Sequence, residues 1–124
     1  MTFKVGTTSY ANNVVIGTYD VNQVPVYDEW TDANGGIHRL KIRDKITGSL
    51  DLFFRTASAY SAFKTVVDGQ TSSSDLSTLI TLSVNNLNSD ATGIHAYLDF
   101  KPVRDVDGTR NDYYKVMKVS IEER

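Results

Sequence analysis

Four cations stand at alternate positions in one stretch of the chain: Arg39, Lys41, Arg43 and Lys45. On a β-strand, residues two apart point to the same face about 7 Å from one another, so this spacing predicts a basic ridge. Such a ridge can meet phosphates or the acidic surface of a protein partner. It can equally be a solvated strand face, paired across the ladder with carboxylates such as Asp28 and Glu29.

Other chemistry-bearing groups are sparser. Asp105, Asp107, Asn111 and Asp112 cluster oxygen atoms around Gly108. The third ligand position of a calcium loop would fall on Thr109, and no glutamate closes the loop. His38 and His95, with Asp44 or Asp99, make a metal site or an acid–base unit only if the fold gathers them. The carboxylate pairs Asp28/Glu29 and Glu122/Glu123 are sequence neighbours, which a strand points to opposite faces. The chain has no cysteine, no nucleophile elbow and no glycine-rich phosphate loop. These residues predict a protein that is not an enzyme and holds no cofactor and no metal.

Seven tyrosines and Trp30 suggest a different chemistry. Aromatic rings on one shallow face can stack on sugars. Half-buried β surfaces also favour tyrosine on propensity alone.

The elements that must position these residues follow from period and composition. A chain of 124 residues, 40% hydrophobic and 23% charged, predicts one globular domain over residues 1–124. Its 13 basic and 15 acidic residues leave a net charge of −2, which argues against nucleic-acid binding by bulk electrostatics. No apolar run is long enough to span a membrane, and Met1 to Gly6 lacks the apolar stretch of a secretion signal.

From Arg39 to Phe54 the period is two, with Leu40, Ile42, Ile46, Leu50, Leu52 and Phe54 on even positions. The beat is skipped at Asp44, which predicts a bend or bulge near Asp44 or Gly48. Upstream, Val24 to Trp30 reads as a strand that begins at Pro25 or lies at an edge. Asn34-Gly35 between the two predicts a hairpin turn. Asn13 to Val21 and Phe3 to Val5 read as further strands.

Thr56 to Gly69 breaks the pattern and predicts the one helix, capped at Thr56 or Ser58 and closed at Gly69. Tyr60, Phe63 and Val67 would form its buried stripe. Strands follow at Leu79–Val84, Ile94–Phe100 and Tyr113–Glu122. In the last, apolar residues change from even to odd positions, predicting a bulge near Val116.

The stretch Asp28-Glu-Trp-Thr-Asp-Ala-Asn-Gly-Gly-Ile-His-Arg, with Arg43-Asp-Lys-Ile-Thr-Gly-Ser-Leu-Asp-Leu-Phe-Phe, resembles small structural proteins of tailed bacteriophages and of prophages of gut Firmicutes. The ending Tyr113-Tyr-Lys-Val-Met-Lys-Val-Ser-Ile-Glu-Glu and the helix after the long ribbon share that resemblance. It implies a tail-tube-like arrangement: a β-sandwich or barrel, one flanking helix, and long hairpins that join subunits into rings. It implies a tail component, such as a tube, terminator, adaptor or tip protein, made in the bacterial cytoplasm and carried in the virion. Its partners would be itself and other virion proteins. No catalytic residue travels with the resemblance.

A domain of this length is roughly 35 Å across. A hairpin of residues 26–34 and 37–46 reaches about 30 Å from its base. Its far end would leave an apolar face of Val26, Trp30, Leu40 and Ile42 for a second subunit to cover, with Arg39, Lys41, Arg43 and Lys45 on the other face. A carbohydrate-binding or receptor-binding β module is the alternative, and it requires Trp30 and at least two tyrosines on one exposed face.

Overall fold

The period-two stretch forms one long strand, β4, from Ile37 to Phe54. The computed structural model describes residues 1–101, 103–106 and 112–124, the stretches 103–106 and 112–116 by their backbone alone. Before β4 come β1 (Phe3–Val5), β2 (Thr8–Ser9), a 3-10 turn (Ala11–Asn13) and β3 (Asp20–Thr31). After it come the helix α1 (Ala57–Gln70), β5 (Thr78–Leu82), β6 (Ala91–Phe100), β7 (Val103–Val106) and β8 (Asp112–Glu123).

The protein is mainly β with one α-helix among the described residues. Its strands pair antiparallel in the order β2-β1-β5-β6-β8-β4-β3, with β7 beside β8. This one large sheet is not closed into a barrel. It curls instead. The Asn85 N–H donates to the Val21 carbonyl at 3.3 Å. The Tyr19 hydroxyl lies 3.0 Å from the Thr2 carbonyl oxygen and 2.6 Å from that of Ser83. Among the described residues these isolated bonds, rather than a ladder, bridge the two sides.

The concave face holds the core. Leu50, Leu52 and Phe54 of β4 are buried against Met117 and Val119 of β8 and Phe3 of β1. Helix α1 seals this face with the expected stripe, Tyr60, Phe63 and Val67. Phe63 sits among three rings, with centroids 4.9 Å from Tyr10, 5.2 Å from Phe54 and 5.4 Å from Phe100. Thr56 caps the helix by accepting the Ala59 N–H through its side chain at 3.1 Å. Gly69 does not end the helix. The chain runs through it to Gln70, and the Thr71 hydroxyl donates to the Val67 carbonyl at 2.6 Å.

Two segments depart from the sequence reading. Asn13–Val21 is not one strand: Val14 bridges Leu52, residues 15–18 turn, and β3 starts at Asp20. From there β3 runs through Pro25, which an outer strand tolerates because one side of its backbone needs no ladder partner. The slip expected near Val116 is present, since Leu52 faces Met117 while Phe54 faces Tyr114, one residue out of step. The oxygen-rich stretch 105–112 lies outside the residues whose side chains are described.

Candidate functional site: a two-stranded arm

The β3–β4 turn is built around one carboxylate. Asp32 Oδ1 accepts the N–H groups of Asn34 (2.9 Å) and Gly36 (2.8 Å). Asp32 Oδ2 lies 2.7 Å from His38 Nε2. Gly35 takes a positive φ of 85°, as the Asn-Gly signal predicts. The hydrogen bond from His38, then those from the backbone, hold the Asp32 carboxyl below the usual carboxylate range. Trp30 stacks on the His38 ring at 5.5 Å.

Below this turn the hairpin is an arm. Strand β8 accompanies β4 only from Phe54 to Thr47. From Ile37 to Lys45, β4 has β3 as its one strand partner among the described residues. That length is about 30 Å at roughly 3.3 Å per residue.

A β-bulge sets the arm's two faces. Val26 faces Arg43 and Tyr27 faces Lys41, so Ile42 is an extra residue in β4. One extra residue reverses the odd–even phase of everything beyond it. Below the bulge, even residues of β4 face the core and odd residues face outward. Above it, Lys41 and Arg39 continue the core-side face with Tyr27 and Glu29, while Leu40 and His38 turn outward with Asp28 and Trp30. Side-chain contacts agree: Lys41 reaches Asp44 at 2.9 Å, and the Arg39 guanidinium lies 5.3 Å from the Tyr27 ring centroid.

The single basic ridge is therefore corrected. Arg39 and Lys41 lie on one face, Arg43 and Lys45 on the other. Each cation has an acidic neighbour in its own chain. Arg39 meets Glu29 (3.0 Å), Lys41 meets Asp44, Arg43 meets Glu123 (3.6 Å) and Lys45 meets Glu122 (2.6 Å). The hydrogen bond from Asp44, followed by its charge, raises the Lys41 pKa. Asp28, expected to share in this pairing, faces Leu40 instead and has no ionic partner among the described residues.

The large apolar side chains thus change faces along the hairpin. In the body the core-side face is apolar and the outer face carries Asp20, Asn22, Thr47 and Ser49. In the arm the core-side face carries Glu29, Arg39, Lys41 and Asp44, and the outer face sets Val24, Val26, Leu40 and Trp30 among Asp28, His38, Arg43 and Lys45. Leu40 is 59% exposed and Trp30 48% exposed. Ile42, at the bulge, is 62% exposed. Of the expected apolar group, Val26, Trp30 and Leu40 do share one face. The arm's edges carry deterrents to strand pairing: Pro25 and Glu29 in β3, and a bulge with Lys41 and Arg39 in β4.

The remaining candidates do not converge. His38 sits at the arm's tip and His95 on β6. No group of three potential metal ligands occurs among the described residues. Tyr10 and Tyr60 are buried in the core, and Tyr19 gives its hydroxyl to backbone carbonyls. Tyr27 lies on the arm face opposite Trp30, and Tyr97 lies on β6. Among these described rings, none joins Trp30 as the sugar-stacking reading requires.

A second apolar feature escaped the sequence reading. Val15-Ile16-Gly17-Thr18 forms a β-turn in which the Thr18 N–H donates to the Val15 carbonyl at 3.2 Å. Gly17 supplies the positive φ of 82°. The turn holds Ile16 out in solvent, 99% exposed. Beside it a shallow notch of about 370 Å³ is lined by Asn12 to Ile16 and by Phe53, an outward residue near the far end of β4. The Ile-Gly-Thr sequence was the available signal, since glycine after a large apolar residue marks a turn that can strand that residue outside.

No family model, curated protein or solved structure matches this chain. Among the described residues no helix is long and apolar enough to cross a membrane.

Proposed function

We propose that this protein is a non-enzymatic structural subunit of a bacteriophage virion, a tail component that assembles with itself into a ring through the β3–β4 arm. One observation carries the self-assembly: the arm's apolar residues lie on the face opposite the core, where the chain's own body offers them no cover. An exposed apolar surface on a rigid element is the form an interaction site takes. The virion assignment rests on the sequence resemblance of residues 28–54 and of the ending to phage structural proteins. Other virion proteins would be its further partners, and the virion its location.

The test is composition of particles. Phage particles purified by density from an induced culture carrying the gene are digested and measured by quantitative mass spectrometry. The proposal expects this chain at a fixed copy number per particle, in multiples set by a ring. Its absence from intact particles contradicts the proposal.

A further inference from the structure

The arm's outer face and the Ile16–Phe53 notch stand at opposite ends of β4, about 40 Å apart along the strand. Each is largely apolar, and the charges around each are mostly matched: Arg43 and Lys45 on the arm's outer face are ion-paired, and Asp51, two residues before Phe53, stands opposite Lys118. Asp28 lies between Val26 and Trp30, and Arg55 follows Phe53 by two residues. Neither charge has an ionic partner among the described residues. The signs are opposite. One chain therefore carries both halves of a complementary pair, and its own geometry keeps them apart.

We propose that the Trp30–Leu40 face of one copy seats on the Ile16–Phe53 notch of a second copy, with Asp28 brought to Arg55. This rests on the self-assembly reading above and names the surface that receives the arm. Three observations favour a second copy of this chain as the occupant. The notch, about 370 Å³ in volume, has room for one large side chain such as Trp30. The hydrogen-bonded turn presents Ile16 already fixed, so docking costs little ordering. The bulge and edge charges disfavour addition of a strand to the arm, leaving its face as the contact.

The contact is heterologous, donor to acceptor, so an open row of copies keeps a free donor at one end and a free acceptor at the other until the arrangement closes. The arm's exposed apolar residues offer on the order of 400 Å², about half of what each partner gives to a stable interface. A single contact is therefore weak, and closure supplies the rest.

Two variants separate the halves. Trp30→Glu with Leu40→Glu removes the donor, and Ile16→Glu removes the acceptor. Native mass spectrometry and sedimentation are run on the wild type, on each variant alone and on their equimolar mixture. Circular dichroism confirms that the folds are unchanged. The proposal expects oligomers for the wild type, monomers for each variant alone, and, because one unclosed contact holds it, a heterodimer that fills in the mixture only at high micromolar concentration, where the mixture is measured. A mixture that stays monomeric overturns it. So does an Ile16→Glu protein that assembles like the wild type, which would place the arm against another arm or elsewhere. A wild type that never assembles removes the self-assembly reading itself, a different result from these two. Asp28→Arg should weaken the heterodimer about two- to fivefold, and Arg55→Asp in the other partner should restore it.

Discussion

The two halves of β4 have the same residue grammar and opposite fates. From Ile46 to Phe54 the even residues point into the core, and Leu50 and Leu52 are wholly buried beneath α1 and beside β8. From Ile37 to Lys45 the strand has lost β8, and Leu40 points to solvent on the other face. Nothing in residue type separates Leu40 from Leu50. The bulge at Ile42 and the end of β8 do. Burial here is decided by register and by which strands reach a given level.

That contrast makes the body sensitive to substitution and the arm tolerant of it, as judged by monomer stability. The largest expected effect is Phe63→Ala, which empties the centre of the aromatic cluster and should cost about 3–5 kcal/mol in chemical denaturation. An unchanged midpoint would mean that the helix does not seal the core. Next is Gly48→Val, at the level where β3 enters the sheet. A Cβ there would overlap the Asp20 carbonyl oxygen and stand 2.6 Å from the Val21 Cα. Forcing the strands apart should cost about 1–3 kcal/mol and raise hydrogen exchange at the start of β3.

Tyr19→Phe comes third. It removes the hydroxyl that ties β3's approach to Thr2 and Ser83, at about 1 kcal/mol. Burial, with the charge of Asp90 adding to it, raises the Tyr19 pKa to about 12. The folded state therefore holds that proton more tightly than the unfolded chain does. The resulting stability is whole below pH 10 and is lost as pH rises toward 12. Alkaline titration of unfolding should show a decline between those values that Tyr19→Phe flattens. A variant as alkali-sensitive as the wild type would place the titrating group elsewhere.

The smallest effect on the monomer belongs to the arm. Trp30→Glu with Leu40→Glu should change unfolding free energy by no more than about 0.5 kcal/mol, because both side chains already meet water. Asp32→Ala should release the amides of Asn34 and Gly36 to fast hydrogen exchange while leaving the sheet's core amides protected. Spread of that release into Leu50 or Val119 would show that arm and body open as one unit.

How far the sequence carried depends on which interactions decide each element. The helix and its Tyr60/Phe63/Val67 stripe were legible, because the 3.6-residue period, the Thr56 cap and burial all agree. The hairpin turn was legible from Asn34-Gly35, although the carboxylate of Asp32 organises it. The skipped beat at Asp44 announced a bulge. Its consequence stayed hidden, because phase reversal changes faces without changing residue types, and only the pairing of Tyr27 with Lys41 reveals it. The basic row was misread for that reason. Ile16 was hidden differently: Val14-Val15-Ile16 looks like strand, and a turn fixed by Thr18 overrides that local preference.

The claim that the arm's outer face joins subunits is tested most directly by the mass of the purified protein in solution. Sedimentation equilibrium is measured across low to high micromolar concentration for the wild type and for Trp30→Glu/Leu40→Glu. The account predicts concentration-dependent oligomers for the wild type and a monomer of unchanged stability for the variant. A wild type that remains monomeric throughout, or a variant that assembles as well as the wild type, would contradict it.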